Sequence, residues 1–202
     1  RTTLPTVSFG VSIQYAKYPL YEALEHSRTL LALAKMDGNP DKEDNCRKDN
    51  MLIGLQKHSG QSIAVLAANT EYEELKAFLD IGSTLTAEDE MIHSVLYTLD
   101  IFASLVSVLN KRVRNEELSL EQYLAAWDNL FDNAGQQKAK AYVREIGTAY
   151  YNTLLTKESS ISAPVYSLTK KEKEENADMS LRALLYILRL KHFLAEQEGD
   201  RR

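Results

Sequence analysis

Few side chains in this sequence have the types and the spacing that chemistry requires. Each of the four histidines stands apart from the others and from acidic groups at metal-ligand spacing, so each is predicted to be a surface or packing residue (His26, His58, His93 and His192). Cys46 is the only cysteine, which excludes a disulfide framework and a cysteine-based zinc site. The sequence has no glycine-rich phosphate loop, HExxH motif or serine elbow. The residue types alone therefore predict no catalytic set and no metal site.

Lys35 stands at the predicted C-terminal end of a helix that follows a strand. Taken by itself, that position predicts an ordinary favourable interaction with the helix dipole. The other basic helix positions predict solvated faces, because the formal net charge of −5 argues against bulk attraction to nucleic acid. Any contact with RNA or a nucleotide is therefore expected to be local.

Composition places the chain among ordinary globular proteins. Its 202 residues are 44% apolar and 26% charged, which excludes a disordered protein and suffices for one domain or two small ones. The longest apolar run, Ile101 to Leu109, is about half the length that a membrane helix needs, so no membrane segment is predicted. The chain opens on Arg1 and enters a strand pattern at once, which predicts a piece that begins inside a fold.

The first part of the chain is predicted to be a mixed α/β segment. Thr6 to Ala16 alternates between apolar residues on one face and small polar residues on the other, which predicts a strand that another element could approach closely. Pro19 favours a helix start, and the helix is expected to end near Lys35. Met51–Lys57 and Gln61–Ala67 are predicted to form a hairpin. A β-α-β-β segment needs further strands beside it, so this sheet is expected to be incomplete.

The second part is predicted to be a helical bundle. Its strongest signal is one long apolar stripe from Ile92 to Val113, and Ser119 with Gln122 forms a capping-box pattern ahead of the next helix. The predicted fold class is α+β. A partial ferredoxin-like β-α-β-β segment spans residues 1–68, a connecting helix and linker span 69–85, and an all-α bundle spans 86–202.

The α/β segment resembles part of a known family, the large subunit of type III CRISPR effector complexes, and the similarity is greatest to the III-B branch. The resemblance covers about 55 residues, from Val7 to Met36 and from Asn50 to Gly60. Its recognisable pieces are an S-x-G-x-x-I strand, a Lys-x-Pro-Leu step, an Ala-Lys pair and a K-x-S-G strand end (Ser8, Gly10 and Ile13; Lys17, Pro19 and Leu20; Ala34 and Lys35; Lys57, Ser59 and Gly60). The helical remainder is compatible with the C-terminal helical domain of that family.

The resemblance implies a function in antiviral defence. The palm domain of such a subunit resembles a nucleotide cyclase and makes cyclic oligoadenylates from ATP when target RNA is bound. Two Mg²⁺ or Mn²⁺ ions sit there on carboxylates of an earlier strand and of a GGDD hairpin. The GGDD sequence does not occur in this chain, so the chain alone is expected to bind no metal and to be inactive. Lys35 matches the lysine directed at the triphosphate, and Ser8, Gly10 and Ser12 are weaker candidates for lining the nucleotide cleft.

The resemblance also implies partners and a location. The partners are the remainder of the large subunit, the small helical subunit and other effector-complex proteins, with CRISPR RNA and target RNA reached through the complex. The location is cytoplasmic, without membrane contact. Two alternatives stay open: a helical protein-interaction module without nucleotide chemistry, and a fragment of a diguanylate-cyclase-like signalling enzyme.

Overall fold

A computed structural model describes ten stretches of the chain (residues 7–15, 17–36, 49–57, 60, 62–69, 72–80, 89–131, 137–155, 161–162 and 178–199). The protein is α+β and mostly helical, with one small mixed sheet, which confirms the predicted class. The chain divides into two compact units. The first unit combines Arg1–Tyr72 with Ser160–Met179, and the second combines Glu73–Ser159 with Ser180–Arg202.

Three strands and one helix form the first unit within the described residues. They are β1 (Phe9–Gln14), α1 (Leu20–Ala34), β2 (Asn50–Gln56) and β3 (Ser62–Ala68). The strand order is β1-β2-β3; β1 pairs with β2 in parallel, and β2 pairs with β3 in the predicted antiparallel hairpin. These elements confirm the β-α-β-β order.

The pairing of β1 with β2 is direct, with Val11 opposite Ile53. In a ferredoxin-like sheet, another strand separates the two strands that a crossover helix joins. The described strands therefore form an unsplit βαβ unit followed by a hairpin. The ferredoxin-like arrangement stays a prediction that requires a strand to enter between β1 and β2.

The small polar face of β1 lies against α1. A Cβ atom on Gly10 would come 2.5 Å from the Ser27 carbonyl oxygen and 2.8 Å from the Leu31 Cα, so only glycine allows this approach. The buried residues of α1 are Leu30 and Ala34. Leu20 and Leu24, which begin an apolar stripe at helical spacing in the sequence of α1, are exposed and lie outside this packed face.

The first unit has its core between α1 and the sheet, where buried apolar side chains pack together (Leu30, Ala34, Leu52, Ala64 and Leu66). At β3, the backbone of Ser162 forms two hydrogen bonds of 2.9 Å with Leu66, one in each direction. This bridge explains why residues 160–179 belong to the first unit, whereas the sequence patterns group them with the bundle.

The second unit is helical in its described residues. Its elements are six helices and a π-helical turn: α2 (Tyr72–Asp80), α3 (Asp89–Ile101), α4 (Ala103–Arg114), α5 (Leu120–Leu130), α6 (Gln137–Tyr150), the π-helical turn Tyr151–Leu155, and α7 (Met179–Gly199). Ser119 caps α5 through the predicted capping box, which is confirmed: its side chain accepts from the Gln122 N–H, and the Gln122 side chain accepts from the Ser119 N–H. The sequence also has capping-box patterns at Thr70 with Glu73 and at Thr86 with Asp89, and both threonines lie outside the described residues.

The predicted long helix from Ile92 to Val113 was wrong, because the chain bends by 81° between α3 and α4. Phe102 lies at the bend with φ −93° and ψ 17°. Neither proline nor glycine occurs near it, so the sequence carries neither of these local signals for a bend. Leu99 and Val106 stay buried on either side, whereas Phe102 and Leu105 of the predicted stripe are exposed.

The core of the second unit surrounds Trp127, the only tryptophan of the chain. Its ring packs near those of Tyr123, Phe131 and Tyr150, at centroid distances of 5.6, 5.9 and 6.2 Å. Within this core, the Asn110 side chain donates to the Tyr150 hydroxyl (2.9 Å) and accepts from the Tyr123 hydroxyl (3.0 Å). These bonds link α4, α5 and α6 in one buried network.

Among the described helices, none is by itself both long and apolar enough to cross a membrane; only α3 and α4 taken together reach that length and hydropathy.

Candidate functional site

Lys35 directly follows α1, and its side chain is exposed. Its backbone N–H donates to the Leu31 carbonyl oxygen at 3.3 Å and so closes the last turn of the helix. The predicted position at a helix C-terminus is therefore confirmed. The ammonium group is available to solvent, as contact with a phosphate would require.

Ser8, Gly10 and Ser12 lie on the face of β1 that meets α1. Each makes a different polar contact: the Ser8 hydroxyl accepts from the Asp49 N–H (3.1 Å), the Gly10 carbonyl accepts from the Ser27 hydroxyl (3.0 Å), and Ser12 contacts His26. We call this contact zone between strand and helix the β1–α1 seam. Its small residues have a packing role, because larger ones would separate the strand from the helix.

The four predicted nucleotide-binding residues do not lie in one cluster. Because α1 runs back along β1, Lys35 and Ser8 lie at the end of the seam where β1 begins. Ala34 and Asn50 lie at the same end and share a 3.3 Å hydrogen bond. Ser12 lies four residues farther along β1, roughly 13 Å away at strand spacing. Contact with a nucleotide by these residues stays a prediction, and one ligand would have to extend along the seam to reach all four.

A polar cluster occupies the other end of the seam. The Ser12 Oγ lies 2.8 Å from the His26 Nδ1, and the Gln14 Nε2 lies 2.7 Å from that oxygen and 2.9 Å from that nitrogen. Gly54 on β2 makes room for the imidazole, because a Cβ atom there would lie 3.0 Å from the His26 Cε1. The cluster therefore depends on α1, β1 and β2 together.

Burial lowers the pKa of His26 below its ordinary value, so the imidazole is neutral at pH 7. The Gln14 amide nitrogen donates to the Ser12 Oγ, so the Ser12 hydroxyl can use its own proton in the contact with the His26 Nδ1. In that arrangement Nδ1 is unprotonated and accepts from the Ser12 hydroxyl, while Nε2 carries the proton. A serine hydroxyl beside an unprotonated imidazole nitrogen is the arrangement that activates an alcohol as a nucleophile.

His26 was predicted to be an isolated surface or packing residue, and the prediction missed its contact with Ser12. The useful signal was the spacing. Ser12 and Gln14 share one face of β1, while His26, Leu30 and Ala34 recur on one face of α1. Combining the two periodicities brings the histidine over the serine once those faces are known to meet.

Two other predicted packing histidines come together in the second unit. The rings of His93 on α3 and His192 on α7 lie 4.2 Å apart in an edge-to-face arrangement, with His192 buried and His93 exposed. His58 and Cys46 lie outside the described residues. Within the described part of the chain, no three histidine, cysteine, aspartate or glutamate residues come close enough to hold a metal ion.

Lys191 on α7 is partly buried beside the ring of Tyr142 on α6, with its Nζ 5.9 Å from the ring centroid. Burial lowers the pKa of this lysine, and the negative charges of Glu145 and Asp80 oppose that change. Burial, and then the charge of Glu145, raises the pKa of Tyr142 to about 12. The geometry is that of a cation–π contact in the bundle interior.

Comparison with known proteins adds no family to this description: no protein-family model, no curated protein and no solved structure matches the chain.

Proposed function

We propose that this chain is the C-terminal part of the large subunit of a type III CRISPR effector complex, similar to the III-B branch. In this assignment the first unit is the second half of a ferredoxin-like, cyclase-like palm, and the helical unit is the C-terminal domain. The palm makes cyclic oligoadenylates from ATP when target RNA binds. The resemblance over Val7–Met36 and Asn50–Gly60 supports the assignment, because its motif positions fall where the strand meets the helix and where the helix begins and ends. Ser8 and Gly10 face a helix, Pro19 precedes that helix, and Lys35 ends it.

The observation that carries the proposal is the unpaired side of β1. Among the described strands β1 is at the edge of the sheet, and its outer face exposes large apolar side chains (Phe9 at 49% and Val11 at 39%, with Val7 beside the strand at 55%). Edge strands that combine unpaired backbone groups with exposed apolar side chains favour association with another sheet. A second palm half supplies both a strand that pairs with the open edge of β1 and side chains that cover its exposed apolar face.

The split arrangement of a ferredoxin-like sheet sets a further requirement. A strand of the other palm half has to enter between β1 and β2 and replace their direct pairing, such as that of Val11 with Ile53. Parallel pairing is slightly less stable per residue than antiparallel pairing, which favours such an exchange. The assembled palm is therefore expected to have a different β1–β2 spacing from the chain alone.

The residues of this chain do not fit the two catalytic metal ions, since its described part contains no cluster of three metal ligands. The proposal assigns Mg²⁺ or Mn²⁺ to the GGDD-bearing half, where the metals activate a hydroxyl and stabilise the leaving phosphate. This chain contributes Lys35, whose exposed ammonium group would bind the triphosphate of ATP. Ser8 lies at the same end of the seam and is the second residue expected near the nucleotide.

A second candidate function, a helical interaction module, is favoured by a different surface. Large exposed apolar side chains flank the bend between α3 and α4 along the chain; we call this set the elbow patch (Tyr97, Ile101, Phe102, Leu105 and Val108). Exposed apolar patches of this kind mark contact sites for other proteins. If the chain is a type III large subunit, the small helical subunit is the partner proposed for this patch.

Paired valine variants test the proposal. The chain is mixed with a separately purified palm half that carries GGDD, and binding is measured by isothermal titration calorimetry. We expect Val11→Asp to abolish binding, because a carboxylate would enter the apolar interface, and Val108→Asp on the elbow patch to bind as the parent does. Both valines are exposed in the chain alone, so neither change should unfold it. Equal binding by both variants, or no binding by the parent chain, would contradict the assignment to a palm.

A further inference from the structure

The cluster of Ser12, Gln14 and His26 has a geometry that the proposed function does not use. We propose that Ser12 is a nucleophile and His26 its general base, and that they form a site which transfers the acyl group of small neutral carboxylic esters to water. The observation behind this is the 2.8 Å contact between the Ser12 Oγ and the His26 Nδ1, together with the Gln14 amide that contacts both atoms. A nucleophile, a base and an orienting group within hydrogen-bond distance are the parts that such chemistry requires.

The protonation state of His26 suits a general base. Its pKa is lowered by burial, so the neutral ring predominates at pH 7. The Gln14 amide donates to the Ser12 Oγ, which leaves the Ser12 hydroxyl proton for the contact with Nδ1. The base therefore has its lone pair in place before a substrate arrives.

The position of Ser12 allows a substrate to reach it. Ser12 is half-buried and lies toward the carboxyl end of β1, which pairs in parallel with β2, and ligands of α/β units bind beyond the carboxyl ends of parallel strands. Because β1 is the edge strand among the described residues, one of any two successive N–H groups on it points away from β2. In the chain without the other palm half, either Ser12 or Ile13 thus offers a backbone donor for the oxyanion that forms during acyl transfer.

The reaction has two balanced steps. In the first, the Ser12 hydroxyl proton moves to the His26 Nδ1 as the Oγ attacks the carbonyl carbon, and the ester C–O bond breaks as the leaving alcohol takes that proton. In the second, water gives a proton to Nδ1 and attacks the acyl-serine, which releases the acid and restores the Ser12 hydroxyl. The pair needs no oxidant, reductant or other co-reactant.

The surrounding side chains indicate a neutral substrate. Gln14 and Gln56 are uncharged, and the Tyr18 hydroxyl donates to the Gln56 Oε1 at 3.4 Å. Glu22 also interacts with Tyr18, and its negative charge disfavours an anionic substrate. A small ester, rather than a phosphate or a carboxylate, matches this lining. Lys35, which is proposed to contact ATP, lies at the opposite end of the seam.

Labelling with a fluorophosphonate tests the site in the full chain, and it does not depend on the proposed palm function. The probe is expected to replace fluoride with the Ser12 Oγ, and tandem mass spectrometry should locate one adduct on the peptide that contains Ser12. Ser12→Ala should remove the adduct, and His26→Asn should slow labelling and p-nitrophenyl acetate hydrolysis by about 100-fold or more. Ser27→Ala is the matched control, because that hydroxyl donates to the Gly10 backbone; it should label as the parent does.

The pH dependence gives a second readout that a purely structural contact would not produce. The labelling rate of the parent chain should fall as the pH drops through the lowered pKa of His26, and His26→Asn should lose that dependence. An adduct on Ser12 with this pH profile supports the site, even if Ser12→Ala fails to fold. The absence of an adduct on Ser12 in the parent chain, or an unchanged labelling rate in His26→Asn, overturns it.

Discussion

The Ser12 Oγ and the His26 Nδ1 lie 2.8 Å apart across the β1–α1 seam, and this contact joins the strand and the helix through their side chains. Farther along the seam, the Ser27 hydroxyl donates to the Gly10 carbonyl. Polar contacts of this kind require a close approach, which small residues on β1 permit. The seam therefore combines close packing with a half-buried histidine, and both properties have measurable consequences.

Gly10→Ala should destabilise the first unit. The added Cβ would lie 2.5 Å from the Ser27 carbonyl oxygen and 2.8 Å from the Leu31 Cα, and backbone atoms cannot rotate away from it. We expect a loss of about 2 kcal/mol, within the range for overpacked sites. Amide hydrogen exchange in β1 and β2 measures this loss directly. Val11→Ala, on the exposed face of the same strand, is the control and should change protection little; equal protection in the parent and Gly10→Ala would refute the close approach.

Acid should weaken the first unit through His26. Because burial lowers the pKa of His26 in the folded state, unfolded chains bind the proton more readily. Stability is therefore fully present above the unfolded pKa of about 6.5 and falls as the pH drops through the folded pKa. Hydrogen exchange in α1 between pH 5 and pH 8 should show this slope, and His26→Gln should flatten it. A steeper slope in His26→Gln would mean that another group is responsible.

Asn110→Ala should destabilise the helical unit more than an ordinary surface change. The Asn110 side chain is buried and bonds to the hydroxyls of Tyr123 and Tyr150, so its removal breaks two buried hydrogen bonds at once. We expect a cost of about 2–4 kcal/mol. Urea unfolding followed by the fluorescence of Trp127 measures it, because this tryptophan packs near both tyrosines. Asn115→Ala, which removes only an exposed contact with Glu117, should cost less than about 0.5 kcal/mol.

Lys191→Met should raise the melting temperature of the helical unit at pH 7. Burial lowers the pKa of Lys191, which means that the protein environment disfavours its charge, and methionine keeps much of the side-chain volume without that charge. In the parent, stability should rise as the pH climbs toward the unfolded pKa of about 10.4, and the variant should lose this slope. A clear drop in melting temperature would instead show that the contact with the Tyr142 ring stabilises the fold.

The local sequence patterns predicted the positions of the helices and strands better than they predicted which faces of those elements pack together. Alternation from Thr6 to Ala16 located β1, but it could not show that the small face meets α1 while Phe9 and Val11 face outward, since that choice depends on distant residues. The stripe from Ile92 to Val113 predicted helix correctly, yet the bend at Phe102 has no local signal. The bridge between Ser162 and β3 joins residues far apart in sequence, which periodicity cannot reveal.

For the candidate sites too, positions within one element were predictable and contacts between two elements were not. Lys35 was predictable as a helix-end lysine because the stop signal Asp37-Gly38-Asn39-Pro40 follows it. The pairing of Ser12 with His26 was not predicted, because it requires the relative rotation of a strand and a helix. Spacing within one element can be read from a sequence, whereas contact between two elements needs their packing.

Lys35→Ala tests the nucleotide role within the assembled large subunit. The side chain is exposed in the chain alone, so its removal should cost about 0.5 kcal/mol of stability or less. A lost charge-assisted contact with the triphosphate should cost about 2 kcal/mol, which is roughly a 30-fold drop in ATP use. Arg28→Ala, an exposed cation on the same helix, is the control. If Lys35→Ala uses ATP at the parental rate across an ATP titration, Lys35 does not contact the nucleotide and is only a charged residue at the helix end.

The most direct test of the account is the synthesis of cyclic oligoadenylates by the reassembled palm. This chain is combined with the GGDD-bearing half, the other effector-complex proteins, CRISPR RNA, target RNA, ATP and Mg²⁺ or Mn²⁺, and the products are separated by chromatography and mass. The account predicts cyclic product only when both halves are present and target RNA is bound, and none with Val11→Asp. Product from this chain without the other half, or no product from the complete mixture, would contradict the assignment.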